Sequence, residues 1–342
     1  MSLRVGVCGL GSAAHRAHLP ALAGIADAAD VEVAAVCDPD RERRTAVATA
    51  LGGARRYPDA TAMLHAGGLD LLVIASPPSC HLEALTAAAE HGVDVLCEKP
   101  LGLTAGDVSA LEQVARQHPG RLLATVHQYR HAPAWTVLAR AVRASLRSGV
   151  PFRVEAEVER PGTDPLSSGG WRAHADREGG ILGDHGSHYL ALCHDLTPLA
   201  RVIACRRHGA AGREGASVRL RLGLGEARIE LTYAGERRRN RVAADIDDGR
   251  LQLEWLDDAL TVVRRGRTTQ GAVGALSRRD FVNRLYQPMY RDLVTRLGDD
   301  AWRADRTAET MATARLLSSA FSLAARPATQ IDGGAGRAAA VR

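Results

Sequence analysis

The chain has 342 residues, 46% hydrophobic and 24% charged, the balance of a globular protein long enough for two domains. Its 44 basic and 39 acidic side chains are interspersed for a net charge of +5, and the arginine clusters Arg237 to Arg239 and Arg264, Arg265 and Arg267 lack the interleaved aromatics that stack bases, so nucleic acid is not an expected partner. No run reaches the roughly 20 apolar residues of a membrane span, no cleavable signal opens the chain, and six cysteines without Cys-x-x-Cys spacing fit a reduced cytoplasm.

The first half alternates short apolar runs with amphipathic stretches. Strands are expected at Leu3 to Cys8, Val31 to Cys37, Asp70 to Ala75, Val93 to Cys97 and Arg121 to Val126, each apolar on both faces as buried parallel strands are. Helical patterns lie between them at Pro39 to Leu51, Ser79 to His91 and Thr104 to His118. Strand, helix, strand in repetition predicts an α/β fold, a doubly wound parallel sheet of Rossmann type. After Gln128 the pattern changes. Phe152 to Arg160 alternates apolar with charged, and Val218 to Leu222, Ala227 to Leu231 and Leu251 to Trp255 follow suit. These runs predict a C-terminal α+β domain on a mainly antiparallel, open sheet. Helical patterns near Arg278 to Leu297 and Asp305 to Ala325 close it. The division expected is 1–128 for a nucleotide-binding domain, 129–326 for a substrate domain, and 327–342 for a loosely held tail.

The first strand runs into Gly9-Leu10-Gly11-Ser12-Ala13-Ala14, a G-x-G-x-x-A pattern. Its first glycine permits a tight turn, its second lets backbone approach a pyrophosphate, and Ala14 lets helix and strand pack closely. The following helix points its N-terminal amides at phosphate. Asp38, at the end of the second strand, is placed to bind the ribose hydroxyls and to repel a 2′-phosphate, which favours NAD over NADP. Arg41, Arg43 and Arg44 soften that preference, and the competing reading makes Asp38 the N-cap of the helix opening at Pro39. Ser76-Pro77 and Glu98-Lys99-Pro100 end later strands, where ligands of parallel sheets sit. Lys99 is the only lysine beside 43 arginines. A compact amine survives there in a chain that writes guanidinium everywhere else, which suggests chemistry.

A third segment, Gly179-Gly180-Ile181-Leu182-Gly183-Asp184-His185-Gly186-Ser187-His188, leads into the helical pattern Tyr189 to Leu196. On a regular helix Asp184 and His188 lie four apart on one face, while His185 points away from Asp184. Imidazole is the natural proton acceptor near neutral pH, and a carboxylate beside it orients it. The competing reading is an Asp N-cap followed by a structural histidine. A metal site from Asp184, His185, His188 and His194 lacks a ligand set at zinc spacing, so no metal is expected.

In this order the pieces resemble the glucose–fructose oxidoreductase and inositol dehydrogenase (Gfo/Idh/MocA) family. The likeness runs from Leu3 to about Arg326. It takes in Gly9 to Ala14, Arg16 to Leu22, Cys37 to Asp40, Glu98-Lys99-Pro100, Tyr129-Arg130 with Pro133, Trp171-Arg172, and Gly179-Gly180 leading to Asp184-x-Gly186-x-His188. The resemblance implies reversible oxidation of a sugar, aminosugar or cyclitol secondary alcohol, catalysed by Lys99, Asp184 and His188. It implies a homodimer or homotetramer built on the open sheet. Gly9, Gly11, Ser12, Ala13, Ala14, Asp38, Ser76, Pro77, Glu98 and Lys99 would hold the coenzyme. Tyr129, Arg130, Trp171, Arg172 and His185 would line the substrate pocket; the family more often carries an apolar residue where His185 stands. Two other readings stand beside it: a catalytically silent NAD-binding regulator on the same scaffold, and an imine or enone reductase that does without His188.

Overall fold

The computed structural model describes residues 2–162, 178–210, 213–257, 259–272 and 281–325. Six parallel strands form the first sheet: β1 (Leu3–Cys8), β2 (Val31–Cys37), β3 (Arg55–Tyr57), β4 (Leu71–Ile74), β5 (Asp94–Cys97) and β6 (Leu123–Thr125). Their order is β3-β2-β1-β4-β5-β6. The chain therefore winds outward from β1 in one direction and restarts at β4 in the other. The carboxyl ends of β1 and β4 flank the crevice where that reversal occurs. β1 and β2 occupy the expected residues. β3 escaped the pattern because Arg55-Arg56-Tyr57 is a short, polar edge strand with no buried residue.

Helices α1 (Leu19–Ala23), α2 (Ala26–Ala29), α3 (Arg41–Ala50), α4 (Ala60–His65), α5 (His81–Glu90) and α6 (Ala105–Gln117) cover this sheet. Their starts follow local chemistry. Thr104 and Asp107 cap α6 reciprocally: the Thr104 hydroxyl accepts from the Asp107 N–H at 3.1 Å, and the Asp107 carboxylate accepts from the Thr104 N–H at 2.9 Å. α3 begins at Arg41, later than the expected Pro39, because Asp40 is the N-cap and accepts from the Arg43 N–H at 3.0 Å. Asp38 is thereby free of the capping role.

α7 (Pro133–Arg147) leads into the second sheet, whose strands are β7 (Phe152–Pro161), β8 (Ala200–His208), β9 (Gly215–Leu222), β10 (Gly225–Gly235), β11 (Arg239–Ile246), β12 (Leu251–Leu256), β13 (Ala259–Arg264) and β14 (Arg267–Ala272). The order is β14-β13-β12-β11-β7-β10-β9-β8, and only β7 with β10 runs parallel. Phe152, Val154, Ala156 and Val158 of β7 are buried. The alternate face carries paired charges, such as Arg241 between Glu157 at 3.0 Å and Glu254 at 2.5 Å. Such exposed pairs contribute little stability but keep the open face soluble and in register. α8 (Ser187–Leu196), α9 (Gln287–Arg296) and α10 (Asp300–Ala324) complete the described fold.

α10 starts earlier than its apolar pattern suggests, because Asp299 caps it by accepting from the Trp302 N–H at 3.0 Å. It also crosses back to the first sheet. The Thr307 and Thr310 hydroxyls each accept an edge N–H of β6, from Leu123 and Thr125, at 3.0 Å. A helix that sequence reasoning gave to the second half thus closes the open edge of the first. The residues of the expected tail lie outside the described ones. Thr310→Val keeps the shape of a buried side chain but orphans the Thr125 N–H. It should lower unfolding stability by roughly 1–3 kcal/mol, read as a shifted midpoint in urea denaturation; an unchanged midpoint would show that the edge needs no cover.

Candidate active site

Gly9 follows β1 with φ of +86°, and a Cβ on it would lie 2.5 Å from the Ser76 backbone nitrogen after β4. Only glycine lets these strand ends approach so closely. Gly11 differs: a Cβ there meets nothing within 4 Å and faces open space. Exposed Ser12 opens the helix next to it and partly buried Ala13 continues it. Ala14 is fully buried, as close packing of helix on strand requires. Pro77 is exposed beyond Ser76, whose hydroxyl oxygen is buried without a partner among the described residues.

Asp38 is buried at the end of β2, where its two oxygens accept from the Leu10 N–H at 2.8 Å and the Asp40 N–H at 2.9 Å. It ties the glycine loop to the second strand. Arg43 Nη1 stands 3.3 and 3.4 Å from the same two oxygens, and Arg44 donates to the Asp38 and Pro39 carbonyls at 3.0 Å. Open space over Gly11 at a helix start, the unpartnered Ser76 hydroxyl and an acid at the β2 end together fit a dinucleotide.

Lys99 lies directly beyond β5. Its Nζ donates to Asp184 Oδ1 at 2.5 Å and to the Asp184 carbonyl at 2.9 Å. Asp184 belongs to a π-helical turn, Leu182–Gly186, that runs into α8. The wider turn changes which side chains meet. His185 Nε2 stands 3.7 Å from Asp184 Oδ2, whereas regular helical geometry had it pointing away. The Tyr233 hydroxyl, from β10, donates to that same oxygen at 3.2 Å. His188 is buried under the Tyr129 ring, 4.7 Å between centroids, and its Nδ1 has no partner among the described residues. Burial holds the imidazole well below its ordinary pKa, and the Lys99 charge presses in the same direction. His188 is therefore neutral at physiological pH. Burial likewise raises Tyr129, so its hydroxyl keeps its proton.

Glu98 does not turn its carboxylate to the open crevice, contrary to the coenzyme-contact expectation. It is buried and accepts from His18 at 3.1 Å, the Tyr286 hydroxyl at 3.3 Å and the Lys99 N–H at 3.2 Å. Burial, the largest influence, pushes it up, but the His18 hydrogen bond and charge together with Lys99 and His81 overcome burial and take it down to about 2. Arg130 is also placed elsewhere. Its guanidinium donates to Asp195 at 2.8 Å and to Glu309, beside a cavity of about 210 Å³ lined by His127, Trp135 and Arg306 but not by Lys99, Asp184 or His188. Its hydrogen-bonding capacity serves α8 and α10, not the Lys99 group. Trp171 and Arg172 lie outside the described residues.

Sequence reasoning missed the roles of His18, Tyr233, Tyr286 and Tyr290. One signal was available: the chain has only six tyrosines, and four of them contact this group, Tyr286 at Glu98, Tyr290 at His18, Tyr233 at Asp184 and Tyr129 at His188. A second signal is structural: π-helical turns at Ala14–His18, Leu182–Gly186 and Val282–Tyr286 deliver His18, Asp184 and Tyr286 to this region. Such turns recur at functional sites.

A parallel sheet with a crevice at its strand reversal, a second, mainly antiparallel sheet, and a helical segment carrying Asp184 and His188 define a two-domain α/β fold of Rossmann type. Residues 3–126 match the oxidoreductase family with an NAD-binding Rossmann fold, GFO_IDH_MocA. Among curated relatives, D-apiose dehydrogenase of Paraburkholderia graminis is 33% identical over 193 residues, 55% of this chain and 50% of that protein. Inositol 2-dehydrogenase of Streptomyces avermitilis is 35% identical over 167 residues, 48% of each. The chain thus spans about half the length of the curated relatives it matches. The solved levoglucosan dehydrogenase, in complex with NADH and levoglucosan, superposes with a TM-score of 0.77 at 17% identity, covering 94% of this chain and 98% of that one. At that identity the likeness is one of fold.

The two glycines of the loop should separate under mutation. Gly9→Ala forces a Cβ onto the Ser76 backbone at a positive φ and should lower the melting temperature. Gly11→Val should melt like the parent and lose NADH binding, followed by nicotinamide fluorescence. Equal stability losses in both variants would contradict the open space over Gly11.

Proposed function

We propose that this protein is an NAD(P)-dependent oxidoreductase that interconverts a secondary alcohol and a ketone on a sugar, aminosugar or cyclitol. The observation that carries the reading is the Lys99–Asp184 contact at 2.5 Å, which joins the nucleotide half to the second half beside a neutral imidazole. The coenzyme accepts or returns hydride when bound. His188 takes the hydroxyl proton, which its lowered basicity permits because it starts uncharged at neutral pH. Two of the three Lys99 ammonium hydrogens are committed to Asp184, which leaves one for the reacting oxygen of the substrate. Asp184 fixes the amine in place and is itself held by Tyr233. Tyr129 and His185 wall the pocket.

NAD is the preferred coenzyme in this reading, because the Asp38 carboxylate opposes a 2′-phosphate. The Arg43 contact with both Asp38 oxygens narrows the margin over NADP. A cytoplasmic location and assembly of like subunits through the open sheet belong to the same proposal. Unpaired cysteines support the first, and the uncovered charged face of β7 supports the second.

NADH production measured across a panel of sugars, inositols and aminosugars tests the activity; coenzyme binding without turnover on any of them would favour the regulator. On the best substrate, Lys99→Arg should reduce turnover by roughly two to four orders of magnitude with NAD affinity little changed. Near-normal turnover would remove Lys99 from the mechanism. The pH profile of alcohol oxidation carries a sign as well. His188 must be neutral to accept a proton, and its pKa lies well below 6.5. The acid limb of kcat/KM should therefore fall below pH 6.5, with a plateau through neutrality; a limb centred above that value assigns the base elsewhere.

A further inference from the structure

The His18–Glu98 pair is buried and adjoins Lys99 through the Lys99 backbone N–H, which donates to the Glu98 carboxylate. His18 is fully buried and sits in the π-helical turn Ala14–His18, within the helix that the glycine loop starts. Glu98 is buried at the β5 end, one residue before Lys99. An ionised carboxylate only accepts, so His18 Nε2 carries the hydrogen toward Glu98 at 3.1 Å. His18 Nδ1 faces the Tyr290 hydroxyl at 2.6 Å. The Tyr286 hydroxyl and the Lys99 backbone N–H complete the donors on Glu98. One buried carboxylate thus gathers the coenzyme helix, the lysine strand end and the segment Val282 to Arg296. A buried anion with three donors resists displacement, because losing any one donor leaves charge without compensation in a low-dielectric interior.

We propose that His18 and Glu98 are positioning residues that set the place of the Lys99 amine and tie it to the helix bearing the coenzyme loop. The proposal rests on the catalytic reading of Lys99 and adds what holds that residue. It predicts an indirect effect: the hydrogen bonds of His18 go to Glu98 and Tyr290, yet changing it moves the amine.

The chain's single lysine makes this measurable without turnover. Protein grown with 13Cε-labelled lysine gives one lysine resonance, that of Lys99. His18→Gln and Glu98→Gln should both displace it while the proteins still melt cooperatively. Both should lower turnover about tenfold to a hundredfold, the scale of an ångström-sized misplacement, with NADH affinity little changed. A lysine resonance left in its parental place in either variant overturns the proposal, as does a loss confined to NADH affinity. Should Glu98→Gln fail to fold, Tyr286→Phe removes a single donor from Glu98 and decides by the same resonance, displaced or unmoved. The resonance needs no substrate, so these outcomes stand apart from any failure of the dehydrogenase reading.

Discussion

The contact on which the site depends is the ammonium of Lys99 against the carboxylate of Asp184, both nearly excluded from solvent at 11% and 3% side-chain exposure. An isolated buried charge is costly, so each group makes the other tolerable only if both halves of the chain hold their relative position. The residue types matter here. Elsewhere the chain answers carboxylates with guanidinium, as Arg130 does with Asp195 and Glu309. A planar fork satisfies a carboxylate with paired N–H groups and leaves its geometry fixed by that partner. An ammonium with three rotatable hydrogens can serve Asp184 twice and still offer a donor to a third oxygen. In the proposed reaction the chain's only lysine stands where that difference has a chemical use.

Charge is distributed with the same economy around it. Asp184 and Glu98 flank Lys99 on opposite sides, one through the side chain and one through the backbone N–H. His188 is kept neutral by burial next to a cation, and His127, farther back, is pushed down to about 3, first by burial and then by Arg130. The site thus contains an imidazole, His188, that starts uncharged beside an amine held by an acid. In the proposed reading that asymmetry separates a proton acceptor from a hydrogen-bond donor before any substrate arrives.

Much of the fold was legible because buried parallel strands announce themselves. Val5, Val7, Val36 and Cys37 are apolar on both sheet faces, so β1 and β2 read directly from composition. The glycine loop was legible for a related reason, since a positive φ and a close approach at Gly9 demand a residue without Cβ. The site was legible in its residue types and less so in its geometry. Regular helical spacing places His185 away from Asp184, and the π-helical turn at Leu182–Gly186 brings it alongside. No local pattern marks a residue inserted into a turn. The anchoring of Arg130 was not legible because its partners, Asp195 and Glu309, lie 65 and 179 positions away. Tyr233 reads only as one more alternating strand residue, and His18 as one more buried helix position. Their roles exist only through partners distant in sequence.

The C-terminal helix shows why the two halves work as one body. On one face of α10, Thr307 and Thr310 complete the edge of β6. From the same helix Glu309 holds Arg130, which also grips Asp195 on α8. Tyr129 is the residue before Arg130, and its ring lies against His188, itself on α8. Anchoring Arg130 therefore anchors the tyrosine that covers the imidazole, from both the strand side and the helix side. The last described helix secures the wall of a site built by residues far earlier in the chain. Sheet edge, ion-pair cluster and His188 form one mechanical unit, so the distance between Lys99 and the second half is set by packing that neither half supplies alone.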